Sequence, residues 1–337
     1  MTPAGHVTIA IDAMGGDHAS DVVLDGVKSI IKQDPQLHIL LVGPDEVVTP
    51  FAAAHSDAVE AVLSTQVITM AEHPANAVRA KRDSSIAVGC RLVKEGRAQG
   101  FFSAGSTGAC MAAATLIMGR LPGVIRPGLA TVIPGTAKPT VLLDVGANAD
   151  ATPEYLLQFA HMGAAYARAV LGCEDPSVGL LNIGQESTKG SMFAQQAYAS
   201  LTERFPGFYG NVEGRDVSAG TVDVIVTDGF TGNVTLKVLE GASRMLFDQL
   251  KTILTESSMN TLAATMLRPS IARLKEHLDP EAYGGAPLLG VKGVCMIGHG
   301  SSNARAIASG ARATALAVRA ELTEQISRSL VEQIATE

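Results

Sequence analysis

Residues 221–237 read TVDVIVTDGFTGNVTLK, and the rest of the fold follows from how they are taken. Val222 to Thr227 is an apolar, β-branched run of strand length, interrupted only by Asp223. Asp228–Gly229 ends it sharply. Thr231 then offers a helix N-cap hydroxyl, with Gly232 and Asn233 in the first turn and apolar residues following at helical spacing. The segment predicts strand, tight polar turn, helix. In an α/β sheet this puts Asp228, Thr231 and Asn233 at the carboxyl end of a strand, where such folds bind ligands. Unpaired N–H groups at the helix N-terminus suit an anion there. The alternative is that Asp228 and Asn233 only shape the turn.

The same design recurs outward along the chain. Val7–Ile11 predicts a first strand opening into Asp12-Ala13-Met14-Gly15-Gly16-Asp17-His18, and Ser20 is placed to cap the next helix. Leu37–Val42 reads as a second strand, while residues 50–80 carry no period that assigns them. Gly100–Ala104 predicts a short strand, and Gly105-Ser106-Thr107-Gly108 begins a helix running to about Gly119. Thr140–Val145 ends in LDVGANAD, where Asp144, Asn148 and Asp150 crowd the turn. Thr152 and Pro153 then start a helix that Gly172 ends. Ser177–Ile183 opens into Gly184–Gly190, whose Lys189 is a single cation in a glycine-flanked turn. Val294–Ile297 ends at Gly298-His299-Gly300, and Ser301 and Ser302 are placed to cap the C-terminal helix. If one sheet edge presents all these turns, they line one anion-seeking cleft. Neither the Walker A nor the GxGxxG spacing occurs.

Composition narrows the class. A chain of 337 residues allows one large α/β domain or two smaller ones, and the pattern favours one. Aromatics are 4% with no Trp, so the core must be built from Ala, Val, Leu and Ile. The net charge of −7 argues against a nucleic-acid binder. Cys90, Cys110, Cys173 and Cys295 show neither metal-ligand spacing nor a CxxC pair, and read as buried free thiols of a reducing cytosol. Val7–Ile11 runs straight into Asp12, unlike a signal peptide, and the apolar run Ala109–Met118 is too short to span a bilayer.

Two segments stand apart. Arg79–Arg97 is the most basic stretch, with a helix starting at Ser84 or Ser85; it is either a solvated face or a dock for an acidic partner. From Gly241 to about Leu278 the pattern is wholly helical. Met245, Leu246, Leu250, Ile253 and Leu254 make one stripe; Leu262, Ala263, Met266, Leu267, Ile271, Leu274 and Leu278 make a second. This inserted helical pair either packs on the body or projects toward a partner or a membrane.

The segments IDAMGGDHA (11–19), SAGSTGA (103–109), LLDVGANAD (142–150), VGLLNIGQESTKG (178–190), VDVIVTDGFTGNVTLK (222–237), YGGAPLLG (283–290) and HGSS (299–302) span nearly the whole chain. In this order they closely resemble the bacterial phosphate acyltransferases of phospholipid synthesis, the PlsX family. Departures are Ser20, where the family usually has Pro, and Ser106, where it has Asn. The resemblance implies a three-layer α/β/α fold with a mostly parallel sheet, shared with isocitrate and isopropylmalate dehydrogenases and phosphate acetyltransferases. It implies a cytoplasmic homodimer, peripherally membrane-associated, without a metal or organic cofactor. It also implies a reaction of long-chain acyl-carrier-protein thioester with inorganic phosphate. The products are free acyl-carrier protein and acyl phosphate, and a membrane glycerol-3-phosphate acyltransferase uses the acyl phosphate next.

On this reading Lys189 holds phosphate, Asn233 donates to the oxyanion and His299 shuttles a proton. Asp12, Gly15, Gly16, Asp17, Gly105, Thr107, Gly108, Asp144, Asn148, Asp228, Thr231, Gly232, Ser301 and Ser302 are expected to bind substrate. Phosphate is already a nucleophile, and the chain has no GxSxG elbow for an acyl-enzyme. The rivals are a short-chain acyltransferase using coenzyme A thioesters, an NAD-dependent decarboxylating dehydrogenase, and a membrane scaffold using residues 241–278 alone.

Overall fold

The computed structural model describes residues 6–277 and 283–335; Leu278, expected in the second stripe, lies outside them. The strands are β1 (Val7–Asp12), β2 (Leu37–Gly43), β3 (Val59–Leu63), β4 (Gly100–Ser103), β5 (Gly128–Ile133), β6 (Thr140–Leu143), β7 (Val178–Leu181), β8 (Phe208–Val212), β9 (Val224–Val226), β10 (Ala286–Leu289) and β11 (Val294–Ile297). They form one sheet in the order β3-β2-β1-β4-β11-β10-β5-β6-β9-β7-β8.

Its direction changes in the middle. β3, β2, β1, β4 and β11 are parallel. β10 runs against β11, β5 against β10 and β6 against β5. β9, β7 and β8 then run parallel to β6. Three antiparallel steps leave the two parallel halves pointing in opposite directions. The expectation that one edge carries all the polar turns is therefore corrected. Turns after β1, β4 and β11 leave one edge, and those after β6, β7 and β9 leave the other. The strands that cause the reversal, β5 and β10, are two that local pattern did not reveal.

Alternate strand residues face opposite layers. Ile9, Ile11, Ile39 and Leu41 join the core beneath α1 (Asp21–Gln33), α2 (Asp45–Ala54), α6 (Pro153–Leu171), α7 (Met192–Arg204), α11 (Ala304–Arg319) and α12 (Leu322–Ala335). Ala10, Leu40 and Val42 join the core beneath α3 (Pro74–Ala80), α4 (Ser85–Lys94), α5 (Thr107–Ala113) and α8 (Gly214–Ala219). The expected three-layer, mostly parallel architecture is borne out.

Several local expectations need adjustment. The unassigned residues 50–80 hold part of α2, all of β3 and α3. Ser20 stands before α1 but caps nothing with its side chain; its φ is 68°, because its N–H turns back to the Ala13 carbonyl at 3.0 Å. Ser84 does cap α4, accepting from the Ala87 N–H. Helix α5 passes into a π-helical turn at Ala114–Met118. Cys90, Cys110 and Cys295 are buried and Cys173 is half-buried, all as free thiols.

Helix α9 (Gly229–Thr255) starts at the polar turn after β9 and runs on into the predicted hairpin without a break. α10 (Ser258–His277) returns, and Pro269 does not interrupt it. From Gly241 to Leu274 no residue is buried, so the pair projects from the body. Its apolar residues are correspondingly open, Met266 at 78% and Leu262 at 60%. No helix among the described residues is long and apolar enough to cross a membrane.

Candidate active site

The turn after β9 is closed by Asp228, not by Thr231. The Asp228 carboxylate accepts from the Thr231 N–H at 2.8 Å and the Thr231 hydroxyl at 2.7 Å. A carboxylate is the stronger acceptor, so the cap sits at the strand end and Thr231 is already inside the helix. Gly232 lets this first turn approach the turn after β6: a Cβ there would collide with the Asp144 carbonyl oxygen. Gly232→Ala should therefore cost about 1–3 kcal/mol of stability, visible as a lower Tm. An unchanged Tm would mean that the two turns can separate freely.

Asp144 organises that second turn. It is fully buried and accepts from five N–H groups, those of Leu129, Gly146, Ala147, Asn148 and the Asn148 side-chain amide, at 2.7–3.1 Å. Burial pushes its carboxyl upward, and these donors oppose the push. Asn148 also donates to the Pro127 carbonyl, and its own carbonyl accepts from Gly229. The Asp144 carboxylate and the Asn148 side-chain N–H groups, expected to bind substrate, are committed to shaping the loop.

On the opposite edge Asp12 plays the matching part. Buried, it accepts from the Ser103 hydroxyl at 2.7 Å and the Met14 N–H at 2.9 Å, while Ser103 accepts from Gly105. Burial raises its pKa against those bonds. Ser106 caps α5 through the Ala109 N–H, a role Ser and Asn fill equally well. Gly15 and Gly16 bring the β1 turn against β4 and the β11 turn: a Cβ on Gly15 would meet the Gly105 nitrogen at 2.8 Å, and one on Gly16 the Gly300 oxygen at 3.1 Å. Asp17 donates its N–H to Gly300 at 2.7 Å.

This buttressing holds His299. Its Nδ1 lies 2.8 Å from the Ser301 hydroxyl and accepts from the Ser301 backbone N–H at 3.3 Å. A backbone N–H can only donate, so Nδ1 is the bare nitrogen and Nε2 carries the proton of the neutral ring. Ser302, buried, donates its N–H back to the His299 carbonyl.

A cavity of about 410 Å³ lies over β5 and β10, between α5 and α9. Thr107 and Gly108 come to it from one edge, with Gly298 and His299; Val145, Gly146 and Asn233 come from the other. The reversal of the sheet thus makes the two sets of turns face each other across its middle. Leu129, Leu236 and Ile297 supply apolar walls. The Asn233 side chain makes no hydrogen bond among the described residues, and its amide lies beside Gly146.

The sequence reading missed Lys237 and Glu240, both in the cavity wall and paired at 2.9 Å. Lys237 is four residues after Asn233 on α9, so helical periodicity alone puts them on one face. Lys189 is elsewhere. It is exposed on the turn after β7, beyond β9, with its stem laid over Gly184. Asp12, Gly15, Gly16, Asp17, Gly105, Asp144, Asn148, Asp228, Thr231, Gly232, Ser301 and Ser302 support the walls without lining them. No cluster of three or more metal-ligating side chains occurs among the described residues.

The same α/β architecture occurs in solved acyl-transfer enzymes. Phosphotransacetylase from Streptococcus pyogenes superposes with a TM-score of 0.62 at 19% identity, covering 95% of each chain. A branched-chain phosphotransacylase from Enterococcus faecalis gives 0.57 at 16%, covering 93% of this chain and 98% of that one. These likenesses define the class of fold.

Sequence comparison goes further. Residues 7–325 match the family model described as "Fatty acid synthesis protein". The phosphate acyltransferase of Desulfitobacterium hafniense is 45% identical over 326 residues, 96% of this chain and 97% of that one. That of Heliobacterium modesticaldum is 49% identical over 310 residues, covering 90% and 92%. The chain belongs to this family of acyltransferases.

Proposed function

We propose that the chain moves the acyl group of a long-chain acyl-carrier-protein thioester onto inorganic phosphate, by direct attack and without an acyl-enzyme. The observation that supports this best is the cavity itself. It gathers an unbonded amide, an imidazole N–H and an ammonium, with no Ser or Cys among its described lining residues. A phosphate oxygen attacks the thioester carbon, and the Asn233 amide donates to the carbonyl oxygen as it becomes an oxyanion. The intermediate collapses with loss of the thiolate. The parent thiol has a pKa near ~8.5, so the sulfur leaves as the thiolate without strong acid catalysis, and the His299 Nε2–H donates a hydrogen bond to it as it departs. Lys237, with Lys189 from the neighbouring turn, supplies positive charge to phosphate.

Hydroxylamine trapping tests the reading, since acyl phosphates form hydroxamates readily. Above the direct reaction of the thioester with hydroxylamine measured without enzyme, hydroxamate should appear only when acyl-carrier-protein thioester and phosphate are both present. Formation above that background without phosphate, or equally fast from a short-chain coenzyme A thioester, would overturn it; the latter favours the short-chain alternative.

We read the basic segment as the dock for the acidic carrier protein. Pro74 at the start of α3 lies against Gly108 of the cavity wall, and Arg79 and Arg82 are exposed beyond it. Reversing both charges should raise the KM for acyl-carrier protein and flatten its salt dependence, leaving the KM for phosphate alone. If neither constant moves, the run is a solvated face.

The α9–α10 pair supports a homodimer held at a membrane. With no buried residue from 241 to 274, it offers one stretch to a second copy and its tip to the bilayer interface, delivering acyl phosphate to a membrane glycerol-3-phosphate acyltransferase. Arg244, Lys251, Arg268 and Arg273 offset the negative body near anionic lipid. Changing Leu262 and Leu267 together to Glu should release the protein from anionic liposomes while activity in solution survives. Loss of the dimer on gel filtration would instead place these residues in the subunit interface.

A further inference from the structure

A second and larger cavity, about 950 Å³, lies away from the catalytic cleft. It opens where β7 and β8 begin, the edge opposite the Lys189 turn, and α6 and α12 wall it. Its floor is aromatic, from Phe205, Phe208 and Tyr209. Two guanidiniums reach it. Arg168 is anchored through Nε to the Glu174 carbonyl at 3.1 Å, and Arg328 through Nε to the Glu324 carbonyl at 3.4 Å, with its guanidinium also 3.6 Å from the Glu321 carboxylate in a solvent-exposed pair that an oxyanion ligand would displace. Asp175 is the single carboxylate of the described lining.

The wall also holds an unsatisfied polar group. His161 is 9% exposed, its Nδ1 lies 2.8 Å from the Ser329 hydroxyl, and its buried Nε2 has no partner. Burial, helped by Arg168 and Arg204, holds its pKa down at about 4, so at neutral pH the ring is an uncharged donor or acceptor. A buried nitrogen left unpaired is costly, and folding tolerates it where a ligand completes it.

Two planar forks beside an apolar floor suit a rigid oxyanion carried on an apolar body. Inorganic phosphate alone would leave most of the cavity unfilled; its volume is that of a drug-sized ligand site. We infer that this cavity is a binding site for a small organic anion, a phosphate monoester with an aromatic or aliphatic body, separate from the catalytic cleft. The oxyanion sits between Arg168 and Arg328, and the body lies on Phe205 and Tyr209.

The chain contains no Trp, which gives a clean reporter. Tyr209 is 60% exposed at the cavity mouth, so Tyr209→Trp places one indole there. Titrating the full-length variant with phenyl phosphate should give a saturable emission change with Kd of about 1 mM or tighter. Inorganic phosphate, lacking the body, and phenol, lacking the charge, should each give at least about tenfold weaker responses. Adding Arg168→Gln and Arg328→Gln should abolish the phenyl phosphate response, with circular dichroism and acyl phosphate formation retained. An absent response, an equal response to phenol, or one that survives loss of both arginines would overturn the proposal. Should the double variant fail to fold, Arg328→Gln alone, on the exposed α12 surface, must still weaken phenyl phosphate at least about tenfold, the loss of one charged hydrogen bond.

Discussion

Asn233→Ala is expected to lower kcat by about 10²–10³, the range for loss of one oxyanion donor. The fold should hold, because the Asn233 side chain is exposed to the cavity and has no hydrogen-bond partner among the described residues. The α9 cap is made by Asp228 and Thr231, neither of which is touched. KM for phosphate should change little, since on the proposed mechanism the oxyanion is the thioester's carbonyl oxygen and its charge develops only after phosphate has bound. A variant with a lowered Tm and near-normal kcat would show that Asn233 shapes the turn and leave the cavity without an oxyanion donor.

The second large effect separates the two lysines. Lys237 lies in the cavity wall and Lys189 on a turn beyond β9. Removing a charge-assisted hydrogen bond to phosphate costs about 1.5–3 kcal/mol, so each loss should exceed about tenfold. Lys237→Ala should act on kcat/KM for phosphate, as the loss of a preformed anchor does. Lys189 is not among the described residues that line the cavity, and the proposed reading brings it there by movement of its glycine-flanked turn, so Lys189→Ala should lower turnover even at saturating phosphate. Wild-type turnover in Lys189→Ala would withdraw that residue and leave Lys237 as the anchor. Wild-type phosphate dependence in Lys237→Ala would confine Lys237 to its pair with Glu240.

Much of this was legible in the residues. The β-branched run at 222–227 ends at Asp228–Gly229, and strand and helix follow as expected. Thr152, Pro153 and Gly172 bound α6 where capping chemistry puts them. Asn233 and His299 meet in one cavity as the turn pattern suggested. Other elements left weaker traces. β3 is half-exposed, and β10 is only four residues beside two glycines, so neither carries enough apolar period to read. The sequence reading named Thr231 as the cap; the fold gives that place to Asp228, whose carboxylate reaches the Thr231 N–H.

By itself the sequence determined the elements and the chemistry offered at their ends. A strand's alternation, a helix cap and a glycine turn depend on neighbours a few residues away, so one chain segment is enough to state them. Strand direction across a sheet is not of that kind. It depends on which strands pair, and residues 128–133 and 286–289 are far apart in the chain. Their pairing turns the two halves of the sheet against each other and brings Asn233 to face His299 across the middle. It also leaves Lys189 outside the cavity and puts Lys237 in its wall. Tertiary structure alone decided which polar groups were spent as scaffolding. Asp12, Asp144 and Asp228 look equal in the sequence, but each carboxylate in the fold is occupied by nearby donors. A buried charge must be satisfied locally before it can do anything else, and only the packed structure supplies the donors that do it.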